Sequence, residues 1–152
     1  MIKTHKHKQC IKSALERAEK ICRENGVRLT PIRRKVLELI WQSHKPIKAY
    51  DLLAQLSTGE HIEKPPTVYR ALEFLLENQL IHKIDSSNAY IGCEFEHHEN
   101  DSKFFICDVC DEVKEVHAPK LDKTLLETSK NQGFTLNQAN VELHGVCARC
   151  DR

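Results

Sequence analysis

Apolar residues recur with a helical period through the first half of the chain. Ile11, Ala14, Leu15, Ala18, Ile21 and Cys22 fall at i, i+3, i+4, i+7, i+10 and i+11, a single buried stripe that stops near Asn25-Gly26. Thr30-Pro31 supplies a cap and a first-turn proline for a second helix, with Ile32, Val36, Leu39 and Ile40 inward and Lys45-Pro46 as its stop. A third places Ala49, Leu52, Leu53 and Leu56 inside and closes at Thr58-Gly59. A fourth opens at Pro65-Pro66-Thr67, buries Val68, Leu72, Leu75 and Leu76, and ends near Asn78-Gln79. The pattern then shortens into two runs of strand character, 80–84 and 89–93, separated by the turn residues Asp85-Ser86-Ser87-Asn88. Helices closing on a hairpin predict a winged helix, with the fourth helix for recognition and the hairpin as the wing.

Beyond residue 93 the elements are shorter. Residues 111–116 read as a strand, Pro119–Asn131 as an amphipathic helix carrying Leu121, Leu125 and Leu126, and 134–143 as another strand. The expected class is therefore α+β. An N-terminal winged helix over 1–92, its wing at about 80–92, precedes a small α/β domain over 93–152.

That second domain is too small to bury much apolar surface by itself, which gives its cysteines meaning. Cys107-Asp108-Val109-Cys110 is echoed by Cys147-Ala148-Arg149-Cys150, with 36 residues between the pairs. A two-residue gap turns both sulfurs of a pair toward one point, and two such pairs supply the four thiolates of a structural zinc site. The alternatives are two disulfides or four unrelated buried cysteines. Seven cysteines, an odd number, favour thiolate ligands in a reducing compartment over a disulfide framework. Cys22 lies on the first apolar stripe and reads as a small buried hydrophobe. With no apolar run long enough to span a bilayer and no signal-peptide core behind Met1, the expectation is a cytoplasmic protein without a membrane role.

The net charge of +1 hides a division. Residues 1–48 hold 13 Lys and Arg against four acids, Glu16, Glu19, Glu24 and Glu38. The second half is acidic, including Glu94, Glu96, Glu99, Asp101, Asp108, Asp111, Glu112 and Glu115. The split suggests a polyanion partner at one end and cations at the other. On the fourth helix Thr67, Tyr69, Arg70 and Glu73 stand off the apolar stripe. Arg70 can read guanine through O6 and N7, whereas Thr67 and the amides of the helix start suit a phosphate.

The runs Val27-Arg28-Leu29-Thr30-Pro31-Ile32-Arg33, Ala49-Tyr50-Asp51-Leu52-Leu53 and Lys64-Pro65-Pro66-Thr67-Val68-Tyr69-Arg70-Ala71-Leu72, with the double CxxC, resemble the ferric uptake regulator superfamily over nearly the whole chain. The fourth-helix run followed by Ile81-His82-Lys83 is most similar to its zinc-uptake branch. The resemblance implies a homodimeric, metal-activated repressor that binds an AT-rich palindromic operator in double-stranded DNA, with no small-molecule substrate and no catalytic residues. It also implies that Tyr50 and Arg70 form a base-reading pair, beside Thr67 and Tyr69.

A second metal site follows from the same resemblance, and the residue types support it. His82 precedes the wing turn, Cys93 closes the wing, His97-His98 follow, and Glu115 lies after the first CxxC. His82, Cys93, His98 and Glu115 make a plausible tetrahedral set, with His97 as the alternate to His98. The expectation is two zinc ions per chain, one structural at Cys107, Cys110, Cys147 and Cys150, and one regulatory. Zinc with the mixed set is formally neutral, and with four thiolates it carries a charge of −2. The soft ligand Cys93 favours zinc over ferrous iron or manganese. His144 could join an auxiliary site with His117, or be structural. The competing readings are an iron- or peroxide-responsive member of the superfamily, a zinc-dependent hydrolase and a thiol redox switch. The mixed set, with four protein ligands, leaves a hydrolase no open position for water.

Overall fold

The computed structural model describes residues 7–94 and 101–152, so His97 and His98 lie outside the described residues. The elements run α1 (His7–Glu24), α2 (Pro31–Trp41), α3 (Ala49–Leu56), α4 (Pro65–Glu77), β1 (Ile81–Ile84), β2 (Ala89–Gly92), β3 (Asp101–Cys107), β4 (Val113–Glu115), α5 (Pro119–Asn131) and β5 (Ala139–Gly145). The chain forms two compact units, Met1–Cys93 and Glu94–Arg152.

In the first unit the predicted stripes become one core. Ala18 and Cys22 of α1, Val36, Leu37 and Ile40 of α2, Leu52 of α3, and Val68, Leu72 and Leu75 of α4 are all buried within it. The helix ends follow local chemistry. α1 stops where Gly26 takes a positive φ of 65°, letting Val27 N–H reach Cys22 O at 2.9 Å and Gly26 N–H reach Arg23 O at 3.2 Å. α4 ends the same way without glycine: Gln79 adopts φ 56°, and Leu80 N–H donates to Leu75 O at 2.9 Å. α2 terminates at Trp41, several residues before the Lys45-Pro46 stop expected from sequence.

The wing is the antiparallel pair β1-β2, with Ile81 opposite Gly92 and His82 opposite Ile91. Its turn closes with Asn88 at φ 49°, a left-handed conformation that asparagine tolerates. Ile47 extends this small sheet by exchanging both backbone bonds with Tyr90, at 2.9 and 2.8 Å.

The second unit is a three-stranded sheet in the order β4-β3-β5 with α5. β3 runs antiparallel to β4 and parallel to β5, so that Cys107 stands beside Gly145. Two strand expectations shift. The run 111–116 narrows to β4, because 107–111 are spent on the cysteine turn, where Asp111 takes φ 59° and its N–H bonds Cys107 O at 2.9 Å. The run 134–143 moves to β5, because the close of α5 at Gly133 leaves Phe134 exposed in a connecting segment. β3 itself had no counterpart in the sequence reading. Its Lys103 is buried and ion-paired with Asp122, tying the sheet to α5, which has no fully buried residue of its own.

Candidate metal centres and nucleic-acid face

The four CxxC cysteines converge. All four sulfurs lie within 4.8 Å of one another, and Cys110 Sγ sits 3.8 Å from Cys147 Sγ. A disulfide requires about 2.05 Å. Thiolates placed tetrahedrally about 2.3 Å from one zinc ion stand ~3.8 Å apart, so the spacing fits a metal and not a bond. The backbone builds the cluster from both ends. The β3-β5 pairing continues as Asp108 N–H to Gly145 O at 2.8 Å, and Cys147 N–H donates to Cys107 Sγ at 3.3 Å. Around them Arg149 pairs with Glu112, and His144 Nδ1 lies 3.0 Å from Asp108 Oδ1 with its Nε2 3.5 Å from Glu142.

Electrostatics divides the four thiols. Backbone N–H groups, that of Cys147 foremost and then those of Cys110 and Val109, hold Cys107 down at about 6. Cys110 is pushed up, chiefly by its hydrogen bond to Cys107, and Cys150 is pushed up to about 12 by its bond to Cys147 and by burial. Adjacent thiolates repel, so the cluster stays partly protonated until a cation enters. The donor set fits zinc.

His82 and Cys93 come together in the first unit, their ligand atoms within 4.8 Å. Register explains why. His82 pairs with Ile91, and Cys93 N–H donates to Leu80 O at 3.2 Å, so the ladder continues one rung past β2. Partners across a rung and residues two apart share a face, which puts both ligands on one side of the wing. Gly92 points to the other side, where the indole of Trp41 lies. In the second unit Glu115, on β4, is buried and its carboxylate accepts Glu94 N–H at 3.2 Å. His144 is committed to Asp108 and Glu142. Among the described residues the only two ligand clusters are the cysteine group and the one containing His82 and Cys93.

The expected nucleic-acid residues stand outward. Tyr50 is 79% exposed one residue into α3, whose Ala49, Leu52 and Leu56 are buried. On α4 the buried face is Val68, Ala71, Leu72, Phe74 and Leu75, leaving Tyr69, Arg70 and Glu73 exposed and Thr67 half-buried. Arg33 stacks 3.7 Å above the Phe74 ring and donates to Arg28 O at 2.7 Å. The amides at the start of α4, expected to suit a phosphate, do not: Pro65 and Pro66 have no N–H, and that of Thr67 is bonded to Lys64 O at 3.0 Å. No local signal in the sequence pairs Arg149 with Glu112 or Arg17 with Trp41 and Cys93, because these partners are distant in the chain.

Comparison with known proteins places this arrangement. The zinc uptake regulation protein of Escherichia coli is 45% identical over 137 residues, covering 90% of this chain and 80% of its own. The peroxide operon regulator of Bacillus subtilis is 28% identical over 138 residues, 91% of this chain and 94% of that protein. A solved structure of a zinc uptake regulator complexed with zinc and DNA superposes with a TM-score of 0.86 at 43% identity, covering 92% of this chain and 94% of that one. No helix among the described residues is long and apolar enough to cross a membrane. Residues 24–144 match the model of the Ferric uptake regulator family, and the chain belongs to that family.

Proposed function

We propose that this chain is a zinc-responsive transcriptional repressor that binds operator DNA as a homodimer when its regulatory site is filled, and so controls zinc uptake. The observation that carries the reading is the mixed His82-Cys93 pair on the wing, separate from the all-cysteine cluster, in a chain so close to a zinc uptake regulator. Cys107, Cys110, Cys147 and Cys150 hold a structural zinc. His82 and Cys93, completed by Glu115 and by His98 or its alternate His97, hold the second. Zinc binding there draws ligands from residues on either side of Cys93 and orders the DNA-binding unit, so occupancy is the switch. Binding linkage is reciprocal: operator DNA tightens zinc by the factor that zinc tightens DNA.

Tyr50 and Arg70 read bases, and Thr67 and Tyr69 support them on α4. The operator is an AT-rich palindrome, matched by the twofold axis of a dimer formed through the second unit. That unit leaves Phe105, Leu143 and Val146 exposed beside a groove of about 530 Å³, apolar surface that a second copy would cover. The protein works in the cytoplasm as a regulator and not as an enzyme.

The test is zinc content per chain before and after mild chelation, with operator binding measured at both stages. Two zincs falling to one, with DNA binding lost and then restored by zinc but not by iron, is the expected result. One unchanging zinc, with DNA binding indifferent to chelation or dependent on iron, would overturn the reading in favour of an iron- or peroxide-responsive regulator. Cys93→Ser should keep the structural zinc and lose metal-dependent DNA binding.

A further inference from the structure

We infer that Arg17, on the N-terminal helix α1, is a positioning residue for the zinc site on the wing, acting through the peptide of Cys93. The inference rests on Cys93 being a ligand of the regulatory site. Arg17 is 76 residues from Cys93 in sequence, yet its guanidinium donates to the Cys93 carbonyl oxygen. The same guanidinium lies 5.8 Å from the centroid of the Trp41 ring. Trp41 in turn packs so tightly on Gly92 that a Cβ there would come within 2.3 Å of its Cε2.

These contacts make a closed set around one residue. Cys93 lies just past the end of β2, where a strand would ordinarily fray. Its N–H is held by Leu80 O at 3.2 Å, its carbonyl by Arg17, and the residue before it is pressed against the indole that Arg17 faces. With both backbone groups fixed and the chain pinned on the Trp41 side, the Cys93 side chain is confined to the opposite side of the wing, that of His82. A ligand held in place before the metal arrives loses less conformational freedom on binding, and groups that orient ligands from behind typically alter metal affinity 10- to 100-fold. Arginine suits the task because a planar guanidinium can face an aromatic ring while its N–H groups donate in plane. Lysine can replace the donor but not the planar geometry.

The experiment is a cobalt(II) titration of the full chain with its cysteine cluster already zinc-loaded, read by near-ultraviolet thiolate-to-cobalt charge transfer. It is run on the wild type, Cys93→Ser, Arg17→Gln, Arg17→Lys and Leu15→Ala. Leu15 is buried on the same helix, so Leu15→Ala loosens α1 without touching Cys93. The expected result is a band that requires Cys93, a midpoint shifted at least about tenfold by Arg17→Gln, partial recovery with Arg17→Lys, and no shift with Leu15→Ala. A band that survives Cys93→Ser would overturn the ligand assignment, and the inference with it. A band that needs Cys93 but has the same midpoint in Arg17→Gln would overturn the inference alone. So would an equal shift in Leu15→Ala, since Arg17 would then act only through the packing of α1.

Discussion

Gly92→Ala isolates the contact on which the wing is seated. A Cβ at position 92 would lie 2.3, 2.6 and 2.7 Å from Cε2, Nε1 and Cζ2 of Trp41. Carbon contacts are comfortable at about 3.5 Å or beyond, so strand and ring must part by roughly 1 Å, and the indole cannot bend to allow it. Overpacking of this kind typically destabilises by about 1 to 3 kcal/mol. Replacing glycine also narrows the unfolded ensemble, a gain of about 0.4 to 1 kcal/mol, and Gly92 is not among the positive-φ residues, so no backbone strain adds to the clash. The expected net loss is about 1 to 2 kcal/mol. Trp41 is the sole tryptophan of the chain, which makes its fluorescence during urea unfolding a direct report on this unit. A second measurement removes the clash: in a Trp41→Leu background, followed by circular dichroism, Gly92→Ala should be neutral or stabilising by up to about 1 kcal/mol, since only the unfolded-state gain remains, a coupling of about 1 to 3 kcal/mol that exceeds the additivity error. A Gly92→Ala protein within about 0.5 kcal/mol of wild type, or an equal loss in both backgrounds, would refute the argument that the indole occupies the space a side chain needs.

Arg70→Ala should weaken operator binding by about 1 to 3 kcal/mol and relax base preference; an equal loss on random DNA would reduce Arg70 to a phosphate contact. Cys107→Ser should remove the tightly held zinc and unfold or monomerise the protein, and a stable dimer with undiminished zinc would mean the four sulfurs are not one site. His144 has its pKa raised by its hydrogen bond to Asp108, against a smaller lowering by burial, with Glu142 adding to the rise. A raised histidine gives stability that is fully present below about pH 6.5 and is lost as pH climbs through the folded value. Unfolding of zinc-loaded wild type and His144→Gln should therefore differ most at pH 6 and least at pH 9, and a gap that is constant with pH would refute the pairing.

Much of this architecture was legible in the chain because its signals are local. The helical stripes of α1 to α4, the turn at Asn88 and each CxxC pair are read within short stretches, and most stripe residues are buried, whereas Ile11, Ile21, Ile32, Leu53 and Leu76 pack only partly buried against the core. What escaped is non-local. β3 pairs with β4 across the cysteine turn and with β5 across about forty residues, and Asp101-Ser102-Lys103 at its start looks like loop until Lys103 is seen ion-paired with Asp122. Helix α4 illustrates a different limit. Its two prolines announce a helix start correctly, yet the same residues strip that start of the N–H groups a phosphate would use. Arg17 had nothing to distinguish it from the other basic residues of a charged helix, because its partners, Trp41 and the Cys93 carbonyl, are set by tertiary packing.

The two candidate metal centres differ in what an absent ion would leave behind, and that difference bears on their proposed roles. In the cysteine cluster one thiol is held near 6 and another driven to about 12, so the sulfurs cannot all ionise without a cation among them. Removing zinc there requires protons to be taken up, and leaves a second unit whose α5 contributes no fully buried residue. That site has reason to hold its metal permanently. On the wing, His82 and Cys93 sit on a unit whose described residues form a hydrophobic core of their own. Losing a metal there leaves that core in place. Under the proposed roles, a site that can be empty without collapse suits the reporting of zinc supply, and the backbone bonds that hold Cys93 favour its refilling.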